Sequence, residues 1–251
     1  MIFELIEPAS FALAAVIVLC AFFIFGVSGF GSSIVAVPLL VQIYPLKAVV
    51  PMMVIIDMCA ALYIGRKSSG DANTQELKWL FPCSLVGMVL GIFLLVKAPG
   101  EPLLLVLGIF AAINGLRVLV KRNVETFDPI SRWWAIPAGF FGGVFTALFA
   151  TGGPLYVSYL GLRIANPKVL RATMAFILFM LTFLRLALML VTGLILSWEV
   201  LGLAVCLMPV TFLGIWVGSH VHTKLSNASM RIAYGSILVF SGSMLLLRQI
   251  T

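Results

Sequence analysis

Two short stretches place glycines and hydroxyl side chains where a long apolar run would ordinarily carry Leu, Ile and Val. The first is Gly26-Val27-Ser28-Gly29-Phe30-Gly31-Ser32-Ser33, opening into Ile34-Val35-Ala36-Val37-Pro38. The second is Ala147-Leu148-Phe149-Ala150-Thr151-Gly152-Gly153-Pro154. In hydrocarbon every unpaired backbone N–H or C=O is costly, so a helix broken at that depth is tolerable only inside protein or beside a polar cavity. A break leaves free N–H groups at the start of the next helical piece, and their partial positive charge favours an anion. Ser28, Ser32, Ser33 and Thr151 add hydroxyl donors, while Gly31, Gly152 and Gly153 let backbone approach a ligand. Small-residue helix packing competes with a site as the explanation of one such break. Two related breaks favour a site.

Two charges deepen the case. Asp57 lies mid-run in Met53-Val54-Ile55-Ile56-Asp57-Met58-Cys59, and Arg185 mid-run in Leu181-Thr182-Phe183-Leu184-Arg185-Leu186-Ala187. A charge at bilayer centre costs at least about 2.5 kcal/mol, so each must face the protein interior, a partner or water. Two readings stay open. The pair neutralise one another structurally, or Arg185 is an anion ligand and Asp57 a proton carrier or counter-ion. Asn114 is placed to hydrogen-bond across helices. Lys47 and Lys168 mark either two mouths or snorkelling side chains. His220 and His222 end an apolar run with no carboxylate or thiol at ligand spacing, so no metal site is expected. Cys20, Cys59, Cys83 and Cys206 fall in apolar runs without C-x-x-C spacing and read as buried packing thiols.

The elements that must position these residues are membrane helices. Of 251 residues, 62% are hydrophobic and 10% charged, with mean hydropathy +1.17. Soluble domains carry about 25% charged residues. The formal net charge of +7 is read as basic cytoplasmic loops rather than a nucleic-acid surface. The acidic first residues, with Glu4 and Glu7, do not resemble a signal peptide, so the first helix is expected to be retained. Apolar runs lie at about 10–42, 48–65, 79–96, 102–119, 133–162, 169–193, 198–219 and 230–248. The first and fifth would make about 45 Å of helix against a hydrocarbon core of about 30 Å, and these two hold the breaks.

Charge decides how the long runs are threaded. If each is one crossing, Lys and Arg divide eight against seven between the faces. If each enters, turns at its break and returns, only Lys47, Lys97 and Arg248 fall on one face; with Arg185 buried mid-run, the other twelve of the sixteen fall opposite. The second arrangement obeys the positive-inside rule. It predicts an all-α integral membrane protein of two inverted repeats, each a broken-helix hairpin plus three transmembrane helices, as in many secondary transporters. The repeats would span 1–122 and 133–251, joined by a cytoplasmic connection at 123–132, with both termini outside. The stretch 66–78 reads as a solvated loop of mixed charge.

Sliding the chain on itself by 121 residues puts Gly31 on Gly152, Ile34 on Leu155, Leu39 on Leu160 and Lys47 on Lys168. Gly29-Phe30-Gly31-Ser32-Ser33 through Pro38-Leu39-Leu40, with Gly142-Gly143 through Phe149-Ala150-Thr151-Gly152-Gly153-Pro154-Leu155, resemble the paired G-x-G-G-G-x-x-x-x-P-L-L signatures of the TauE/SafE family. Its members are sulfite and organosulfur anion exporters. Ser32 and Ser33 stand where that family often has glycines, Ala150 replaces a glycine, and Tyr159 stands where the first repeat has Pro38. The resemblance implies a small-anion exporter of the cell's inner membrane, and the binding set is Gly29, Gly31, Ser32, Ser33, Thr151, Gly152, Gly153 and Arg185, with Asp57 as coupling or counter-ion. Expected partners are the anion, the bilayer and protons as coupling ion; a homo-oligomer is left open, and no cofactor is expected.

Two other classes are weighed. An anion channel would use the same half-helix ends. An intramembrane serine protease would read Gly26-Val27-Ser28-Gly29 as the G-x-S-G of rhomboid-type enzymes, with Ser28 as nucleophile and His220 or His222 as its base. Both histidines end a run near the surface, and the second break has Phe149 at the place of Ser28, so a non-enzymatic transporter is the preferred reading.

Overall fold

The computed structural model describes residues 7–28, 31–65, 72–120, 130–221 and 227–250, without the side chains of 28, 64, 65, 221, 227–231, 233 and 250. Gly29, the Ser28 side chain, His222, the loop residues 66–71 and most of the 123–132 connection lie outside the described residues.

Among the described residues the chain is all-helical. The order is α1 (Pro8–Ser28), α2 (Ser32–Leu40), α3 (Leu46–Gly65), α4 (Thr74–Lys97) and α5 (Gly100–Val120). A 3₁₀ turn at Arg132–Trp134 then leads into α6 (Ala135–Phe149), α7 (Gly153–Leu160), α8 (Pro167–Val191), α9 (Trp198–Val221) and α10 (Asn227–Ile250). Both long apolar runs are interrupted, giving the short pieces α2 and α7. Six helices are long and apolar enough to cross a membrane, by length and composition. One of these is α1, whose 21 residues make an arm of about 31 Å, longer than α6 with its 3₁₀ turn.

Capping starts two helices ahead of their apolar runs. The Asn73 side chain accepts from the N–H groups of Gln75 and Glu76 at 3.1 and 3.2 Å, so Thr74–Lys78 is helix rather than loop. Asn166 accepts from Lys168 N–H at 2.9 Å ahead of Pro167, the first residue of α8. Large apolar side chains such as Phe93, Ile113, Phe183 and Val205 face outward, as a lipid-facing surface requires. That outward face also corrects the reading of the thiols. Cys20 and Cys206 are exposed, Cys59 and Cys83 half-buried, and all four are free. An apolar thiol costs nothing against lipid, so its place in an apolar run does not bury it.

The packing is organised in helix pairs. The most extensive contacts join α4 to α6, α5 to α10, and α1 to α9, with α3 packed on α8 and α9 and α4 on α8. Exchanging α1–α5 for α6–α10 turns the α4–α6 pair into α9–α1, turns α3–α9 into α8–α4, and leaves α5–α10 and α3–α8 as they are. Glycines set the close approach: a Cβ on Gly26 would stand 2.6 Å from the Ile215 carbonyl of α9, and one on Gly115 would stand 2.8 Å from the Gly235 carbonyl of α10. Gly143 is likewise pressed against the Ser84 carbonyl of α4, so these glycines pack helices.

The α6–α7 unit doubles back. Arg132, just before α6, donates from Nε to Glu76 Oε1 at 3.3 Å, and Arg163, just after α7, donates from Nη2 to the same oxygen at 2.8 Å. Both ends of the unit therefore meet at one carboxylate in the first turn of α4.

Candidate functional site

The two breaks meet around a cavity of about 120 Å³. At the first break Gly31 takes φ 94°, ψ 10°, in the left-handed region that glycine enters without steric cost. At the second, Ala150 takes φ 59°, ψ 15°, a conformation strained for a residue with a Cβ. Its N–H bonds the Thr146 carbonyl at 3.0 Å and closes α6 as a left-handed cap. Ala150 is the position where the resemblance puts a glycine, and the backbone geometry is one that glycine would suit. At Gly152 the constraint is space: an added Cβ would collide with Thr146 Oγ1 and the Gly142 carbonyl.

The polar side chains around the cavity form one connected set. Ser32 and Ser33, in the first turn of α2 and both buried, donate to Asp57 Oδ1 at 3.0 Å and Oδ2 at 2.5 Å. Arg185, 1% exposed, reaches from α8 and donates from Nη2 to Asp57 Oδ2 at 3.3 Å and from Nη1 to the Thr146 carbonyl at 2.9 Å. Arg185 Nε and Thr151 Oγ1 are buried without a hydrogen-bond partner among the described residues. Both residues line the cavity. A buried guanidinium N–H and a buried hydroxyl left unpaired are each costly, and acceptor oxygens of a ligand that reached them would remove that cost.

Gly31, Ser32, Ser33, Thr151, Gly152, Gly153, Asp57 and Arg185 therefore share one cavity. Sequence reasoning missed Thr146, whose carbonyl holds Arg185, and Thr182, which lines the cavity one helical turn before it on α8. It also missed Leu178, another lining residue, which the 121-residue offset pairs with Asp57. The charges at 57 and 185 do bond, so the mutual pair left open by sequence exists, and it sits within the cavity.

Other candidates fall elsewhere. Asn114 donates from Nδ2 to the Phe110 carbonyl of its own helix at 2.8 Å, not across helices, because an amide one turn on finds that carbonyl locally. Lys47 Nζ donates to the Val96 carbonyl at 3.1 Å, closing the end of α4, and Lys168 is exposed. His220 is exposed in the last turn of α9, with Nδ1 2.7 Å from the Trp216 carbonyl. No group of three or more His, Cys, Asp or Glu suited to a metal occurs among the described residues.

The stretch read as a solvated loop instead supplies a buried carboxylate. Glu76, 2% exposed, accepts from Arg163 and Arg132 on Oε1 and from the Tyr159 hydroxyl on Oε2 at 2.6 Å. Arg163's own bond to the Glu76 carboxylate holds its guanidinium pKa above the usual range. Nearby, the Asn73 N–H donates to Thr173 Oγ1 of α8 at 2.9 Å. The eight-residue rod α7 is thus anchored by ions at one end and opens on the cavity at the other.

A family model described as sulfite exporter TauE/SafE matches residues 13–245. The probable inner membrane transporter protein TsaS of Comamonas testosteroni is 22% identical over 178 residues, which are 69% of this chain and 74% of that protein. No solved structure matches the chain.

Proposed function

The chain belongs to the sulfite exporter TauE/SafE family of membrane transporters, and from that premise we propose that it exports a small anion, sulfite or an organosulfur anion, by alternating access around its two helix breaks. The observation that carries this reading is a pair of buried donors, Arg185 Nε and Thr151 Oγ1, on residues that line one cavity between the breaks and without a partner among the described residues. An oxyanion supplies what both lack. The Arg185 fork suits an oxyanion, pyramidal or tetrahedral, better than a halide, because it offers N–H groups in fixed directions.

The exchange of helix pairs between α1–α5 and α6–α10 supports two repeats, and the doubling back of α6–α7 supports a second repeat that starts on the face where the first ends. Lys47, Lys97 and Arg248 gather at one end: Lys47 bonds Val96, next to Lys97, and Arg248 bonds the Gln42 carbonyl at 3.2 Å. The positive-inside rule makes that end external, with both termini on it and the membrane the inner one, as the relative's name has it. Single cysteines at Ser10 and Ser69 test the orientation. Ser10 should label from outside, and labelling of Ser69 from outside would reverse it.

Transport itself is tested in proteoliposomes with sulfite, sulfate, methanesulfonate and chloride, with and without a pH gradient. Saturable oxyanion flux that is accelerated by anion on the opposite side is expected of a carrier. Flux of chloride alone, without saturation, would replace the carrier by a channel.

A further inference from the structure

We infer that Asp57 holds the place of the transported anion in the empty site, so that loading the site with a monovalent oxyanion takes up one proton on Asp57. This rests on the reading of the cavity as an anion site.

The Asp57 carboxylate is bound as a substrate oxyanion would be. Two hydroxyls at the start of a half-helix, Ser32 and Ser33, donate to its two oxygens, and a guanidinium N–H donates to one of them. The two hydroxyls are donors that the broken helix would offer to an anion, and Arg185 is the cation beside them. A second anion entering beside them must share Arg185 with a carboxylate already there. Among the residues lining the cavity, Asp57 and Arg185 are the ionisable ones. Of the elements packed on α3, α8 contributes Arg185 and α2 only hydroxyls. The ionisable groups of α5 and α9, Glu101, Arg117, Glu199, Cys206 and His220, do not line the cavity.

Charge conservation then fixes the proton. The empty site holds Asp57 and Arg185 as a neutral pair. Adding a monovalent anion would leave one net negative charge in a buried site, which proteins avoid by changing protonation. A proton from the water on the side of loading adds to the Asp57 carboxylate, the anion takes over Arg185, and the loaded site is neutral again. Both leave on the other side, Asp57 ionises, and the ion pair re-forms for the return. A neutral Asp57 keeps a hydroxyl that can donate to the anion. Flux of a monovalent anion is therefore electroneutral, with one proton moving in the same direction.

The test uses the purified full-length protein and methanesulfonate, which stays ionised at all working pH values and so brings no proton of its own. Calorimetric titration in buffers of different ionisation enthalpy counts the protons taken up. The expected result is about one per anion for wild type, with affinity that falls as pH rises, and none for Asp57→Asn, whose binding is independent of pH. In proteoliposomes wild-type flux should be indifferent to membrane potential, whereas Asp57→Asn should exchange anion for anion but lose net flux, its empty site carrying an unpaired Arg185. If Asp57→Asn does not fold, the wild-type proton count decides alone. Binding of methanesulfonate without proton uptake overturns the inference and leaves the anion site standing. Failure of methanesulfonate, sulfite and sulfate to bind at any pH overturns the anion site and the inference with it.

Discussion

The half-helices α2 and α7 begin at the same cavity and end in opposite surroundings. Each follows a break placed at the same offset, Gly31 answering to Gly152, but α2 supplies hydroxyls to Asp57 while α7 follows Thr151, whose hydroxyl has no partner among the described residues. At its far end α2 is held by apolar burial, with Val35, Ala36, Val37 and Leu40 fully covered. Beyond it, Tyr44 Oη and Gln42 Nε2 are buried without a partner among the described residues. The far end of α7 is tied by Tyr159 and Arg163 to Glu76. One rod is thus anchored by directional bonds and the other by non-directional packing. If the two rods are copies of one element, as proposed, they need share only the end at the cavity.

The largest way to break this contrast is to remove the ionic anchor. Glu76→Gln leaves Arg163, Arg132 and the Tyr159 hydroxyl facing an amide, and should lower stability by about 3 kcal/mol, the low end for a broken buried pair because Arg132 reaches water. Thermal unfolding in detergent measures it. A loss below about 1 kcal/mol would make the cluster incidental.

Bulk at the breaks comes next and should act at both rods alike. Gly152→Val drives methyl groups into Thr146 and the Gly142 carbonyl, and Gly31→Val forces a β-branched residue to positive φ, each costing about 2 kcal/mol or more. Folded protein of either kind recovered from the membrane should not transport. Normal transport by the double variant would reduce the breaks to packing features.

The same chemical change at the two far ends should have opposite sign. Tyr159→Phe removes a bond to a carboxylate and should cost about 1.5 kcal/mol, while Tyr44→Phe removes a buried hydroxyl with no partner among the described residues and should be neutral or stabilising. Equal unfolding temperatures for the two would erase the distinction. The smallest effect is Ala150→Gly, where relief of left-handed strain is partly offset by chain entropy, giving a gain of at most about 1 kcal/mol. A destabilised Ala150→Gly would show that the Ala150 methyl is needed for packing.

The breaks were legible in sequence because Gly and Ser within hydrocarbon carry a cost that only a special location offsets, and both runs are interrupted where those residues stand. Asp57 and Arg185 stood out for the same reason. Their bond did not, because composition does not state how α3 and α8 are rotated about their axes. Glu76 was misread because Asn73 through Lys78 look like solvated loop until the cap at Asn73 makes them a first turn and brings Glu76 under Arg163. The outward thiols were misread because in a bilayer an apolar neighbourhood is as often outside as inside.

The central claim is that Arg185 binds the anion rather than serving only to neutralise Asp57. The most direct test measures thermal stability and oxyanion transport for wild type, Arg185→Lys, Arg185→Leu, and Arg185→Leu combined with Asp57→Leu. Arg185→Lys keeps the charge without the fork and should weaken substrate binding while remaining folded. Arg185→Leu strands a buried carboxylate and should cost about 3–5 kcal/mol, most of which the double variant restores. With stability restored, the double variant should transport no oxyanion; transport at the wild-type rate in that protein would contradict the account.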